Sequence, residues 1–318
     1  MSASALMIKL KKYFVRVMDC LPADLTSVDA SRPLVLFFSV NGIECIKEKP
    51  QISREQLSHW IYLYYIRPEI DRKGSCGFRS LIYTGVTSSG DQISGERSPY
   101  DASHVTLVYS ALCTLLTIGD DLSRIDRDGI ISGIDELRCS DVPGLYEASI
   151  IYSERDVRFV FSAVATCRIL DRLDAVDVEA VCEFLTKCLT YDGGFGCLPG
   201  LESHAGATYC ALATLALVNR VDSFLRPDSR ARHRLVKWLV SLQKEGFHGR
   251  IHKEDDTCYT FWVGASLKLL KCEHLINVNS TTRFVARCWD PIVGGIGKHP
   301  ALFPDAIYLS IYLSISAV

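Results

Sequence analysis

No two of the thirteen cysteines form a C-x-x-C pair, and their number is odd. Most fall inside apolar helical runs, among them Cys113, Cys167, Cys182 and Cys210. That distribution argues against a disulfide framework and suits a reducing, cytoplasmic location. Long apolar runs are missing too. No stretch approaches the roughly 20 residues that span a bilayer, so no integral membrane segment is expected. At the start, MSASALMIKLKKYF carries Lys9, Lys11 and Lys12 behind a short apolar run, which is not a secretory signal. No linker rich in Pro, Gly or Ser divides the chain, and a single domain over residues 1–318 is expected. Excess charge is also lacking: a formal net charge of -2 gives no global ground for nucleic-acid binding. What remains is 318 residues at 48% hydrophobic content, able to bury a large core.

Strand signals are weak, because few runs alternate strictly. Five segments instead share one plan, a Gly-rich or polar loop followed by a helix dense in small and aromatic residues. The helical parts are VYSALCTL from Val108, VFSAVATC from Val160, TYCALATL from Thr208, TFWVGASL from Thr260 and SIYLSIS from Ser310. Their starts differ by 52, 48, 52 and 50 residues. Between them lie amphipathic helices such as DVEAVCEFLTKCL and HRLVKWLVSLQK, with apolar residues at i, i+3, i+4 and i+7. Small residues let backbones approach closely, and the amphipathic partner covers the outside. The expected fold is therefore all-α, an α/α barrel of helical hairpin repeats, with an open helical scaffold as the plainer alternative.

Polar chemistry concentrates where loops meet the small-residue helices. Residues 246–262, GFHGRIHKEDDTCYTFW, bring Arg250, Lys253, Asp256, Cys258 and Tyr259 within ten positions. A carboxylate and a thiolate can share a borderline-soft ion such as zinc, and Arg and Lys beside them can hold a phosphate. Alone, D-x-C equally describes a helix N-terminal carboxylate followed by a buried cysteine. A second run, YDGGFGCLPGLESHAGATYC at 191–210, places His204 before a small-residue helix, where it can donate to an anion or simply cap the helix. A third, ERDVRFVF at 154–161, sets Arg158 two positions beyond Asp156, which also reads as an ordinary ion pair.

Together these segments resemble the β subunits of protein prenyltransferases. The likeness runs from about Tyr13 to the C-terminus through D-x-R-F-V, D-G-G-F-G, L-E-S-H-x-G-x-T-Y-C, F-H-G-R-x-x-K, D-T-C-Y-x-F-W-V-G-A and G-G-I-G-K-x-P followed by P-D-A. The resemblance implies an α/α barrel with a central apolar funnel and a heterodimer with a prenyltransferase α subunit. It implies zinc held by Asp256 and Cys258, with the prenyl diphosphate on His204, Arg250, Lys253 and Tyr259, and Arg158 near a bound C-terminal CaaX peptide. Zinc would lower the pKa of the substrate thiol, whose sulfur attacks C1 of the lipid while cationic and hydroxyl donors stabilise the leaving diphosphate. Lys298, in G-K-H-P, stands where farnesyltransferases are expected to carry an aspartate for magnesium and type I geranylgeranyltransferases a lysine. That points to geranylgeranyl diphosphate as donor, to CaaX-terminated proteins such as small GTPases (X often Leu) as acceptors, and to no magnesium requirement. Leu34, in S-R-P-L-V-L-F-F, replaces a farnesyltransferase tryptophan and leaves room for the longer lipid, although threonine is the type I residue.

The pattern also breaks. The third zinc ligand of the family is a histidine in a D-A-x-H context, whereas this chain has P-D-A-I-Y with Tyr308 at that place. A phenol is a poor ligand until it loses its proton. His299 and His252 lie close in sequence but off the pattern, and Ala205 replaces a usual glycine. A non-catalytic relative without zinc, a farnesyl-transferring enzyme, and a terpene cyclase (from the acidic E-D-D-T run) are the alternative readings.

Overall fold

A computed structural model describes residues 3–21, 23–47, 52–68, 76–82, 101–151 and 154–305. Twelve α-helices appear among the described residues, with one two-stranded antiparallel ribbon pairing Tyr65–Ile66 with Gly77–Phe78. The helices sort into two layers. The inner layer holds α2 (Arg32–Cys45), α4 (Val105–Thr117), α6 (Val157–Ile169), α8 (Ala205–Leu217) and α11 (Tyr259–Leu269), each packed against the next in that order. The outer layer holds α3 (Arg54–Tyr62), α5 (Arg127–Asp135), α7 (Val178–Cys188), α10 (Arg230–Ser241) and α12 (Val278–Arg287). The short α9 (Val221–Phe224) precedes α10. The repeat segment expected from Ser310 lies outside the described residues.

The inner helices are buried nearly all round, which is why their composition is small and mixed rather than amphipathic. Thr114, Thr166, Thr214 and Ser266 sit at equivalent positions with at most 1% of their surface exposed. Each satisfies its hydroxyl on the carbonyl four residues back, at 2.6–2.8 Å, so none of these four is stranded where the helices meet. Each inner helix ends on a residue in the left-handed region two places past its last turn: Lys47, Gly119, Asp171, Asn219 and Lys271. That turn reverses the chain toward the outer layer.

N-termini differ between layers. The outer helices α5, α7, α10 and α12 are capped by Asp126, Asp177, Ser229 and Asn277, each accepting from the N–H three residues on. The inner helices α4, α6 and α8 are capped by His104, Asp156 and His204, each accepting from the N–H two residues on, and Asp256 does the same for Cys258 ahead of α11.

The first helix, α1 (Ala3–Asp19), joins the two ends of the described chain. Tyr13, Phe14 and Val17 share one apolar cluster with Phe284, Val285, Cys288 and Ile296. Tyr13 Oη donates to Pro304 O at 2.8 Å and Arg16 donates to Val293 O at 3.1 Å. All thirteen cysteines are free thiols. No helix among the described residues is long and apolar enough to cross a membrane.

Candidate functional site

The N-terminal ends of the inner helices open onto a cavity of about 750 Å3. Its wall is aromatic. Phe37, Tyr109, Phe161, Tyr209 and Phe261 occupy one position on successive inner helices, with neighbouring ring centroids 5.0–6.1 Å apart. Tilted and edge-on contacts of this kind hold the rings in a fixed belt. Leu34, in the first turn of α2, also lines the cavity, as do Arg158, His204 and Tyr259. A second space of about 860 Å3 lies toward the opposite helix ends and shares Tyr109, Phe161, Tyr209 and Phe261 with the first. The expected apolar funnel is present.

His204 takes the capping role as well as facing the cavity. Its Nδ1 accepts the backbone N–H of Gly206 at 3.1 Å and of Ala207 at 3.4 Å, so that nitrogen carries no proton. The ring proton is therefore on Nε2, which donates to Tyr259 Oη at 3.1 Å. Burial, then the nearby Arg250 and Arg158 charges, lower the His204 pKa and keep the ring neutral. The Tyr259 hydroxyl, pushed up to about 12 by burial and by Cys258 and Asp256, stays protonated. It accepts from His204 and can aim its own proton at an anion in the cavity.

The 247–258 loop is fitted beneath this pair. Gly249 O accepts from Ala205 N at 2.9 Å, and a side chain on Gly249 would put its Cβ 2.2 Å from Cζ of Tyr259. Only glycine lets the loop pass so close under the ring. Arg250, one residue on, pairs with Glu202 at 3.6 Å across two loops of the rim, and Lys253 is exposed on the same loop. Arg158 lies at the start of α6 with its guanidinium against both Asp156 oxygens and 2.8 Å from Glu154. The ordinary ion pair is thus real, and it also fixes Arg158 on the cavity wall.

Asp256 and Cys258 sit together ahead of α11. Asp256 Oδ1 accepts the Cys258 N–H at 2.9 Å, and Oδ2 lies 3.6 Å from Lys298 Nζ. Lys298 comes from a distant loop, held there because Thr257 N donates to Lys298 O at 3.1 Å and Thr257 Oγ1 to Gly297 O at 3.0 Å. Burial, then the adjacent Asp256 charge, raises the Cys258 thiol well above its usual range. A cation beside that carboxylate and thiol would offset both causes and favour the thiolate. As a donor set, carboxylate plus thiol fits a zinc ion. Among the described residues, no third His, Cys, Asp or Glu completes a metal-holding group, so neither His252 nor His299 fills that place. His299 instead directs Nδ1 to Asp255 O at 2.7 Å. Tyr308 lies outside the described residues.

Three features escaped the sequence reading. Gly249 is one. The buried pair of His248 Nδ1 and Asp255 Oδ1 at 3.1 Å, which braces the loop carrying Asp256, is another. The aromatic belt is the third in its geometry, although Tyr109, Phe161, Tyr209 and Phe261 recur at the same 52- and 48-residue steps as the helices.

Residues 7–317 match the prenyltransferase alpha-alpha toroid domain. The chain belongs to this family. It is 34% identical over 317 residues to the geranylgeranyl transferase type-1 subunit beta of Dictyostelium discoideum, an alignment covering 96% of this chain and 88% of that one. It is 32% identical over 314 residues to the subunit of the same name from Arabidopsis thaliana, covering 94% of this chain and 81% of the other. The solved structure of Candida albicans protein geranylgeranyltransferase-I complexed with GGPP superposes with a TM-score of 0.84, at 21% identity, over 98% of this chain and 90% of that one. At that identity the superposition establishes the shared toroid. The barrel expected from the repeats is the family fold.

Proposed function

We propose that this chain is the catalytic β subunit of a type-1 protein geranylgeranyltransferase. It would transfer the lipid of geranylgeranyl diphosphate to the cysteine of a C-terminal CaaX motif, with an α subunit as its partner. What supports the reading is that Arg158, His204 and Tyr259 line an aromatic-walled cavity of about 750 Å3, with Arg250 on the loop that passes under Tyr259 and Lys298 beside Asp256. A ligand with an anionic head and a long apolar tail matches that division of chemistry. The likeness to type-1 subunits runs over 94–96% of the chain, and Lys298 at the Asp256 carboxylate agrees with a site that uses an ammonium where others use magnesium.

In this reading the tail lies along the aromatic belt, which excludes water from the reacting carbon. The head meets the Tyr259 hydroxyl, whose proton is free to donate because His204 Nε2 supplies the bond that the oxygen accepts. Arg250 and Lys253 neutralise charge at the rim, and Lys298 does so from the other side. These donors stabilise the diphosphate as the C1–O bond breaks and the C1–S bond forms to the substrate cysteine. Arg158, fixed by Asp156, faces the cavity where an acceptor peptide would enter. Asp256 and Cys258 would hold zinc, with a third ligand from beyond the described residues; when bound, zinc lowers the pKa of the acceptor thiol. One toroid domain over residues 1–318 and a cytoplasmic location complete the proposal, the latter supported by thirteen free thiols.

The test is co-expression with a prenyltransferase α subunit, followed by transfer of labelled geranylgeranyl or farnesyl to a Leu-terminated CaaX peptide. Geranylgeranyl-peptide as the main product supports the proposal. Preference for farnesyl would overturn the lipid assignment, and a heterodimer that transfers neither would mark a non-catalytic relative.

A further inference from the structure

The outer face of α10 is basic in a way the transfer site does not need. Between Arg226 and Lys244 the sequence holds Arg226, Arg230, Arg232, Arg234, Lys237 and Lys244, with Asp228 as the only acidic residue. Arg232 turns inward and is consumed, donating to Asp222 at 2.7 Å and to Leu270 O at 3.0 Å. The other five side chains are exposed. Positions 230, 234 and 237 follow helical spacing, so these cations form one stripe about 10 Å long.

Elsewhere on the surface several arginines are matched to carboxylates, as Arg155 is to Asp141, Arg172 to Asp128, Arg220 to Glu179 and Arg287 to Glu245. Among the described residues Arg226, Arg230, Arg234, Lys237 and Lys244 form no ion pair. On a chain whose net charge is -2, that is a local positive field.

Two further contacts say what this face meets. Arg234 Nη1 donates to Tyr191 O at 3.3 Å, and Tyr191 itself is 89% exposed, an aromatic ring standing in water beside the stripe. An amphipathic ring flanked by cations is the composition that rests at the headgroup level of a bilayer. At the other end Lys244 Nζ donates to Lys253 O at 3.4 Å, so the stripe runs into the loop that passes under Tyr259 on the cavity wall. An acidic protein surface would satisfy the cations but gives Tyr191 no reason to be bare.

We propose that the outer face of α10, together with Tyr191, docks onto an anionic lipid surface and brings the cavity rim against it. A lipid diphosphate is an anionic amphiphile that resides in such a surface, so docking would set its source beside the opening. That benefit rests on the transfer reading above; the docking does not.

The experiment is co-sedimentation of the purified heterodimer with vesicles of neutral lipid, and of neutral lipid containing phosphatidylserine, at low and physiological salt. The unaltered protein should bind the anionic vesicles alone, less as salt rises. The triple variant Arg230→Ser, Arg234→Ser, Lys237→Ser should partition on the order of 100-fold more weakly, from about 1 kcal/mol per cation at the membrane. Tyr191→Ser should weaken binding with the salt dependence retained. Transfer to a soluble peptide without vesicles should be unchanged in both, which shows that they fold and separates this proposal from the catalytic one. Failure of the unaltered protein to bind anionic vesicles, or equal binding by the triple variant, would overturn it. So would loss of α-subunit association in the triple variant, which would make the stripe a subunit contact.

Discussion

Replacing Gly249 by alanine should damage lipid-diphosphate binding far more than stability. The added methyl would lie 2.2 Å from Cζ and 2.4 Å from Oη of Tyr259. Ordinary contact begins near 3.4 Å, so the ring must retreat by roughly 1.2 Å. The ring is the far end of a side chain bordering a cavity, and it can move. Its hydroxyl then leaves His204 Nε2, now at 3.1 Å, and no longer points where an anion's oxygen would lie. A hydrogen bond to a charged group contributes about 1.5–3 kcal/mol, so affinity for geranylgeranyl diphosphate should fall by roughly 10- to 100-fold. The melting temperature should change little. Fluorescence titration with a lipid-diphosphate analogue reads the first quantity and thermal unfolding the second. A double-mutant cycle sharpens the test, since Tyr259→Phe removes the same hydroxyl and the two losses should fail to add. Additive losses, or unchanged affinity in Gly249→Ala, would refute the claim that this glycine acts through Tyr259.

Asp256→Ala and Cys258→Ala should each abolish transfer and reduce bound zinc, measured per heterodimer, while lipid-diphosphate affinity largely survives on separate groups. Lys298→Asp should make turnover magnesium-dependent, seen as a rise in rate on titrating the ion, because it removes the ammonium 3.6 Å from Asp256. Acid should weaken lipid binding and stability through His204, whose pKa is lowered from 6.5 in the folded state. The unfolded chain then binds more protons, so stability is full above about pH 6.5 and declines below it; His204→Gln should flatten that decline in a pH series of melting temperatures. Asp101→Ala should cost about 3–5 kcal/mol in chemical denaturation, because Arg79 and Asp101 are 3.1 Å apart with at most 1% of either side chain exposed.

The layered barrel was legible because its cause is written locally. Close helix approach demands Ala, Ser, Thr, Cys and Gly on the inner helices, and the recurrence of those residues every 48 to 52 positions needs no partner to be seen. The caps at 104, 156, 204 and 256 follow the same steps, which is why capping was one of the two readings that the sequence offers for His204. The two roles are compatible, since one ring nitrogen serves the helix and the other the tyrosine. Lys298 and Asp256 were placed in one site only by resemblance, because what joins them is Thr257 bonding to a loop 40 residues away. Gly249 and the pair of His248 and Asp255 were invisible for a related reason. A glycine declares that space is short without naming the neighbour, and a buried His–Asp bond looks in sequence like two surface residues.

The central claim is that a β subunit with this polar rim and aromatic wall transfers a C20 lipid to a cysteine. The direct measurement is mass spectrometry of a Leu-terminated CaaX peptide after incubation with the zinc-supplied heterodimer and equal farnesyl and geranylgeranyl diphosphates. The account predicts a predominantly geranylgeranylated peptide, formed without added magnesium and lost in Cys258→Ala. An unmodified or predominantly farnesylated peptide from a correctly assembled heterodimer would contradict it.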